Sequence, residues 1–476
     1  MGGGFAGASL AIQAVRAAPR PLDITIIEPK AEVGRGLAYS TDDPDHRLNA
    51  PAFVHSAIPE DMLHFSRWAR ATGLPARDPE ALQPDGGAYF RRRDFGRYLA
   101  ETLAQHADWA ETSSRISHLR ASATDAAFGG GPVRVLTDDG REIAADRVVI
   151  ATGNPTPRLP ASIPRPWAQD HRLIENPFEP GRLKAAAPDA EVLVVGAGLT
   201  ALDALSTLLA QGHRGAITAV SRHGLTPRGQ APIALALRWD APAQDPPLLS
   251  RLMGPIPEFL DPAKGTPPKA LDWLRALRRR IAEVEAAGGV WQQPFDSLRE
   301  SLWRLWPSLP IGEQRRVLRR LRTLYDVHRF RTPPQNEALV AAARARDQVR
   351  YEAATVLALS DSDGRLGVDL RRRGRAGVDR HMVDLVVNAS GLDTAAGIVA
   401  NPFLSALSEA GLIQPDALGL GLKVDDQGRA IGRDGAPSHV LSVVGPPTLG
   451  TFGDPIGAFF VAAGIRRFLP AIVGRD

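Results

Sequence analysis

Glu191-Val192-Leu193-Val194-Val195-Gly196-Ala197-Gly198-Leu199-Thr200-Ala201 is the stretch on which the fold turns. Val192 to Val195 is a short run of branched apolar residues, the pattern of a strand buried on both faces. Gly196-Ala197-Gly198-Leu199-Thr200-Ala201 then fits G-x-G-x-x-A. Leu199 to Gln211 has helical spacing, and Ala216 to Val220 returns as a strand. Strand, glycine turn, helix and strand together make a complete βαβ unit. Such a turn needs glycine because it is tight and because the backbone must approach a pyrophosphate. The helix that follows turns free N–H groups and a positive dipole end toward those phosphates. The returning strand ends in Ser221-Arg222, and Arg222 lies 24 residues beyond Gly198. A carboxylate there would bind a ribose 2′-hydroxyl and repel a 2′-phosphate. Serine and arginine do the reverse, which points to NADPH. The plainer alternative is an Arg222 that only faces solvent.

A second copy of the pattern opens the chain. Gly2-Gly3-Gly4-Phe5-Ala6-Gly7 fits G-x-G-x-x-G, Ala8 to Ala18 reads as a helix, and Asp23 to Ile27 reads as a strand. That strand ends at Glu28, 24 residues after Gly4, where a carboxylate accepts ribose hydroxyls. A glycine-rich tail is the competing reading of the loop alone. The strand expected ahead of the loop is not in the sequence, because Met1 abuts Gly2. The expectation is a start lying upstream, with truncation or a substitute strand as alternatives, and an FAD site that loses part of its floor. An acid in the first unit and an arginine in the second is the order FAD, then NADPH. Two strand ends of similar form, Ala151-Thr152-Gly153 and Ala389-Ser390-Gly391, fit close passage by a cofactor or a domain junction. Each also fits a plain strand followed by a turn.

The fold class expected is therefore α/β, with two Rossmann-like dinucleotide-binding domains and a helical insertion. The expected boundaries are 1–165 for the first part of the FAD domain and 166–380 for the NADPH domain, with the insertion at about 250–346. Residues 381–476 are expected to complete the FAD domain. Closely spaced prolines from Pro155 to Pro166 mark the first boundary. The length of 476 residues exceeds one ordinary core and agrees with this division.

Composition narrows the function. Hydrophobic residues make up 44% and charged residues 23%, the balance of a globular enzyme. Net charge is only +4 and the arginines are scattered, which argues against a nucleic-acid partner. Cysteine is absent, which excludes disulfides, thiolate metal sites and an internal redox pair. The apolar stretch from Ile456 to Val473 is broken by Arg466, Arg467 and Pro470, so it reads as a buried helix and not as a membrane span. No leader is apparent, and a cytoplasmic protein is expected.

Gly34-Arg35-Gly36-Leu37-Ala38-Tyr39-Ser40, with Leu48-Asn49-Ala50-Pro51, resembles the bacterial FAD-NAD(P)-binding family that includes the YdhS-like proteins. Gly196 to Asp203, Gly212 to Gly215, Ser221 to Leu225 and Asp326-Val327-His328-Arg329 carry the same likeness. The layout is similar to class B flavin monooxygenases and N-hydroxylases. The resemblance implies FAD and a nicotinamide cofactor and names no substrate. It implies cofactor contacts at Gly36, Ala38, Tyr39, Asn49, Thr152, Gly153 and Gly391, besides the loop residues Gly2, Gly4, Phe5, Ala6, Gly7, Gly196, Gly198, Leu199, Thr200 and Ala201. The helix following Gly450 to Ile456 is expected to aim its N-terminus at the flavin pyrimidine, with Gly453 and Ile456 in contact, or else to be merely capped there.

Other clusters were weighed. His328, Arg329 and Arg331 face either the nicotinamide or an acidic substrate, or form a polar helix end. Asp42, Asp43, Asp45 and His46 sit in a turn with no fixed ligand geometry, so no metal is expected and the loop is placed near the flavin. Trp291, Trp303 and Trp306 line an aromatic pocket or belong to a core. The resulting expectation is an FAD- and NADPH-dependent oxidoreductase, a monooxygenase-like enzyme acting on a small molecule through a flavin C4a-(hydro)peroxide. A reductase serving a quinone or partner protein and a non-catalytic flavin sensor are the rivals. The catalytic residues and the oligomeric state are left open.

Overall fold

The protein was described as a computed structural model covering residues 1–155, 157, 159–241, 247–261, 268–392 and 397–474. The strands are β1 (Asp23–Ile27), β2 (Asp108–Trp109), β3 (Ser114–Leu119), β4 (Ala123–Ala127), β5 (Val133–Thr137), β6 (Glu142–Ala145), β7 (Val148–Ile150), β8 (Leu173–Ile174), β9 (Val192–Val195), β10 (Ile217–Ser221), β11 (Val349–Ser362), β12 (Arg365–Arg372), β13 (Asp379–Val383), β14 (Leu385–Asn388), β15 (Arg429–Ile431) and β16 (Pro437–Val443). The longer helices are α1 (Phe5–Ala17), α2 (His64–Ala71), α3 (Arg92–Gln105), α4 (Leu199–Ala210), α5 (Ala270–Ala286), α6 (Gln292–Ser308), α7 (Ile311–Arg320), α8 (Arg322–Arg329), α9 (Pro334–Ala345), α10 (Pro402–Glu409) and α11 (Ala458–Val473).

The second nucleotide unit is built on a seven-stranded sheet in the order β13-β12-β11-β10-β9-β14-β8. Strands β11, β10, β9, β14 and β8 run parallel, while β12 and β13 form an antiparallel arm. All four residues of β9 are buried, as the apolar run predicts for a central parallel strand. Separate apolar clusters flank the sheet, one built from α4 and α9 and one closed by Leu159, Ile163 and the β11–β12 arm. The expected boundary at 381 is corrected here. Strand β14 is paired Leu385 to Val192 through Asn388 to Val195, so it belongs to the second unit and the crossing back lies beyond it. Its four buried residues need cover on both faces, which the sheet centre supplies.

The first unit is divided. One three-stranded sheet has the order β1-β3-β2 and another has β15-β16-β7. Between them run Met1 and Gly2. The Met1 ammonium donates to the Val149 carbonyl at 2.9 Å. Ala151 N–H donates to Met1 O at 2.8 Å, and Gly2 N–H donates to Ile27 O at 3.0 Å. Met1 and Gly2 thus bridge β1 and β7. A β4-β5-β6 meander packs against α10. Helix α1 buries Ala6, Ala8, Ala11 and Ala14, and this small-residue face admits α11 closely. The Gln13 amide crosses that junction to the Ala462 carbonyl at 3.1 Å.

Helices α5 to α8 form the insertion around Trp273, Leu302, Leu305, Trp306 and Leu309. Trp306 is a core residue, as is Trp273, whereas Trp291 and Trp303 are only partly buried. No helix among the described residues is long and apolar enough to cross a membrane.

Candidate dinucleotide sites

Helix α1 begins at Phe5 with Gly4 as its N-cap. No side chain caps it and no acid lies in its first turn, so its N–H groups and dipole remain available to an anion. Gly2 adopts φ +104°, a left-handed conformation that excludes most side chains. A Cβ at Gly7 would overlap the Gly2 carbonyl, which explains the last glycine of the motif. Glu28 ends β1 beside this loop. Its Oε2 accepts Gly3 N–H at 2.8 Å and its Oε1 accepts Lys30 N–H at 3.1 Å. The carboxylate is thereby oriented at the strand end and keeps lone pairs for ribose hydroxyls.

Gly36 lies directly against Gly4, where a Cβ on either would press on the other backbone. Tyr39 packs with Phe95 at 4.8 Å and Phe5 at 6.3 Å between ring centroids. Burial pushes its hydroxyl up to about 12. Ala38 is exposed on the same loop, and Asn49 is held by its carbonyl, which accepts from the Gln230 amide at 3.0 Å. Thr152 and Gly153 follow β7, with Gly153 at φ +74°. The loop at Gly4, its partner loop at Gly36 and the β7 end thus converge on the α1 N-terminus. This cradle fits an FAD pyrophosphate and ribose.

The second loop repeats the construction. Gly196 sits at φ +133°, and a Cβ there would overlap the Ala389 carbonyl. Gly198 caps α4, again with no side-chain cap and no acid in the first turn. A Cβ at Gly198 would meet nothing within 4 Å, so that face is open for a ligand to approach the backbone. Leu199 and Thr200 are partly exposed beside it, and Ala201 is buried against the sheet. Ser221 and Arg222 end β10, with Arg222 exposed. The Ser221 hydroxyl accepts Gly224 N–H at 3.0 Å, which shapes this turn. Gly391, at φ +117°, follows β14 on the neighbouring strand end.

The segment before α11 is locked from the insertion. Asp454 is paired with Arg329 and with Arg299, and the Tyr325 hydroxyl donates to it at 2.7 Å. Arg299 and Arg329 also each donate to the Ile456 carbonyl at 3.3 Å. Gly453 lies under the Trp306 ring, where a Cβ has no room. Burial holds the Arg329 guanidinium below its ordinary value, against the pull of Asp454. Arg331 forms a bidentate pair with Asp296, and the His328 ring packs on Trp291 and Phe295. His328, Arg329 and Arg331 each have protein partners in this arrangement, His328 Nδ1 lying 2.7 Å from the Leu324 carbonyl.

The contacts between the two units have no signature in the sequence. Arg92 on α3 grips Asp203 on α4 through two bonds of 2.7 and 3.0 Å. The Thr207 hydroxyl donates to Asp43 at 2.8 Å and lies 3.2 Å from His46 Nε2. The Asn336 amide reaches the Asp45 carbonyl and the Ser206 hydroxyl. The acidic turn at 42–46 therefore docks on α4 of the second unit. No group of metal-ligating side chains is found among the described residues.

The chain is similar to several known proteins. Residues 1–155 match the family described as FAD-NAD(P)-binding. Residues 86–238 match L-lysine 6-monooxygenase/L-ornithine 5-monooxygenase. A D-amino-acid oxidase of Bradyrhizobium diazoefficiens is 37% identical over 110 residues, which is 22% of this chain and 25% of that protein. The chain thus matches only about a quarter of that relative's length. Among solved structures, the ornithine N-hydroxylase of Kutzneria sp. 744 aligns with TM-score 0.60 at 16% identity, covering 98% of this chain and 96% of the other. A cadaverine monooxygenase of Erwinia amylovora aligns with TM-score 0.63 at 13% identity, covering 98% and 92%. These structures share the fold, with its two dinucleotide-binding units.

Proposed function

We propose that this chain is an FAD-dependent, NADPH-oxidising monooxygenase acting on a nucleophilic nitrogen of a small amine. One observation carries the reading: two uncapped, acid-free helix N-termini stand at parallel strand ends in one chain, with Glu28 beside the first and Ser221-Arg222 beside the second. The match to lysine and ornithine monooxygenases over residues 86–238 supports the reaction class. The aligned N-hydroxylases act on ornithine and the aligned monooxygenase on cadaverine, which suggests a primary amine.

Bound flavin supplies hydride acceptance from NADPH and activation of dioxygen. The chain's own residues do the positioning. Glu28 would hold the adenosine ribose of FAD, and Gly4 with the α1 N-terminus would hold its pyrophosphate. Gly36, Ala38, Tyr39, Asn49, Thr152, Gly153, Gly453 and Ile456 would line the remainder, with the Arg299–Asp454–Arg329 lock fixing the last two. Gly196 and Gly198 with the α4 N-terminus would take the NADPH pyrophosphate, Leu199, Thr200 and Ala201 would flank it, and Gly391 would leave room beside it. Residues 1–153 together with those beyond β14 would form the FAD domain, and the seven-stranded sheet with its insertion would form the NADPH domain, Leu159 and Ile163 packing on that sheet. The Arg92–Asp203 pair keeps the two in register.

The test is a visible spectrum of purified protein with FAD, titrated anaerobically with NADPH and then NADH, and then exposed to oxygen with ornithine, lysine or cadaverine. The expected result is bleaching by NADPH in preference to NADH and a hydroxylamine product formed with oxygen uptake. A protein that stays colourless after FAD addition overturns the flavin reading. NADPH oxidation that consumes no oxygen in favour of a quinone or dye overturns the monooxygenase reading.

A further inference from the structure

We propose that Arg373, on the antiparallel arm of the second sheet, joins Arg222 in binding the 2′-phosphate of NADP. The inference rests on the NADPH reading above and adds a residue that the βαβ pattern does not contain. Strand β10 pairs with β11 in a register that sets Ser221 beside Ala353. On the other side of β11, Arg373 N–H donates to the Ala353 carbonyl at 2.7 Å. Ser221, Ala353 and Arg373 therefore lie abreast. Two strand spacings separate the outer pair, about 10 Å. The Ser221–Gly224 turn folds toward this row. A Cβ at Gly224 would sit 3.1 Å from Ala353 N, so the turn carrying Arg222 rests on the residue that holds Arg373.

The charges agree with the geometry. Arg222, His223, Arg373 and Arg375 are all exposed here. None of the four has a carboxylate partner among the described residues. Glu352, adjacent to Ala353, and Asp379 on β13 are both paired with Arg372. The end of β10 thus presents cations whose countercharge must come from outside. A phosphomonoester dianion matches that need, and arginine binds phosphate with paired charge-assisted bonds. The adenosine 2′-phosphate belongs at this strand end, because the ribose lies at the end of the second strand of a Rossmann unit.

The experiment is calorimetric binding of NADP⁺, NAD⁺, 2′,5′-ADP and 5′-AMP to the FAD-loaded protein at low ionic strength. It compares wild type with Arg222→Gln, Arg373→Gln and Arg320→Gln, the last removing a charge from the helical insertion. Arg373→Gln is expected to weaken NADP⁺ and 2′,5′-ADP binding about tenfold, from the loss of one charge-assisted contact. NAD⁺ and 5′-AMP binding should stay within about twofold, and added salt should shrink the difference. Arg320→Gln should behave as wild type. If Arg222→Gln weakens NADP⁺ binding while Arg373→Gln leaves it unchanged, the arm plays no part and the proposal falls. If wild type binds NAD⁺ as tightly as NADP⁺, the NADPH reading itself fails and takes the proposal with it.

Discussion

Replacing Asp454 with Asn tests the lock that holds the segment ahead of α11. The Asp454 side chain is 2% exposed and that of Arg329 is 3% exposed. The substitution keeps the shape and the Tyr325 contact but removes the charge. Arg329 then remains buried with no carboxylate, while Arg299, at 21% exposure, can still reach solvent. Breaking one side of a buried pair costs about 3–5 kcal/mol, chiefly through the stranded charge. For a domain of this size each kcal/mol lowers Tm by about 2–4 °C, so a fall of roughly 6–20 °C is expected. Arg329→Met alone should cost less, because Arg299 and Tyr325 still serve Asp454. The double variant Asp454→Asn, Arg329→Met should recover most of the loss, since neither charge is then stranded. Thermal unfolding of the FAD-loaded protein gives the three values, and FAD titration of the apoprotein reports on Gly453 and Ile456. A Tm of Asp454→Asn within about 3 °C of wild type would refute the argument. So would a double variant as unstable as the single one, because the two residues would then be uncoupled.

Gly198→Ala is expected to leave Tm unchanged, since φ is −87° and a Cβ meets nothing, yet to weaken NADP⁺ binding at least about tenfold by blocking backbone approach. Calorimetry beside a melting curve checks both halves. Gly196→Ala should instead fail to give folded second unit, because φ is +133° and the Ala389 carbonyl occupies the Cβ position; circular dichroism and solubility report it. His55 is 4% exposed, and burial lowers its pKa from 6.5 to about 4. Its neutral form is the native one, so its contribution is whole above pH 6.5 and is lost as pH falls through about 4. That amounts to about 3 kcal/mol, and urea titrations of wild type and His55→Gln across pH 7 to 4 should converge as the pH drops. Asp203→Asn should loosen the two units while sparing each sheet. Faster hydrogen exchange confined to α3 and α4 is the expected signature, and unchanged exchange there would remove Arg92–Asp203 as an inter-unit clasp.

How much of this was legible depends on whether the signal was local. Strand β9 and its glycine loop were readable because a buried parallel strand needs a continuous apolar run and the turn needs glycine, and both lie within eleven residues. Strand β1 matched its expected bounds of Asp23 to Ile27 for the same reason. Strand β14 was visible as a strand but was assigned to the wrong unit. An apolar run states that both faces are buried and not which sheet buries them. The Arg92–Asp203 clasp and the Arg329–Asp454 lock join residues 111 and 125 positions apart, and a single arginine or aspartate has no periodicity to betray it. One hint was present. Asp454 stands between Gly453 and Pro455 and before a strongly apolar helix, a setting that buries an acid and so requires a cation.

The first glycine loop shows how a nucleotide turn is fixed by its own residues and by neighbouring strand ends. A nucleotide loop needs its turn fixed at both shoulders and its helix pressed onto the sheet. Gly2 N–H is fixed by the Ile27 carbonyl at the end of β1, and Met1 is held by Val149 and Ala151 at β7. Gly34 N–H donates to the Gly3 carbonyl at 2.6 Å, and Glu28 accepts from Gly3 N–H. Gly7 lets α1 seat on the Gly2 carbonyl without a side chain between them. Each restraint comes from a residue inside the motif or from a neighbouring strand end. The geometry that faces the phosphates is therefore set by β1 and β7.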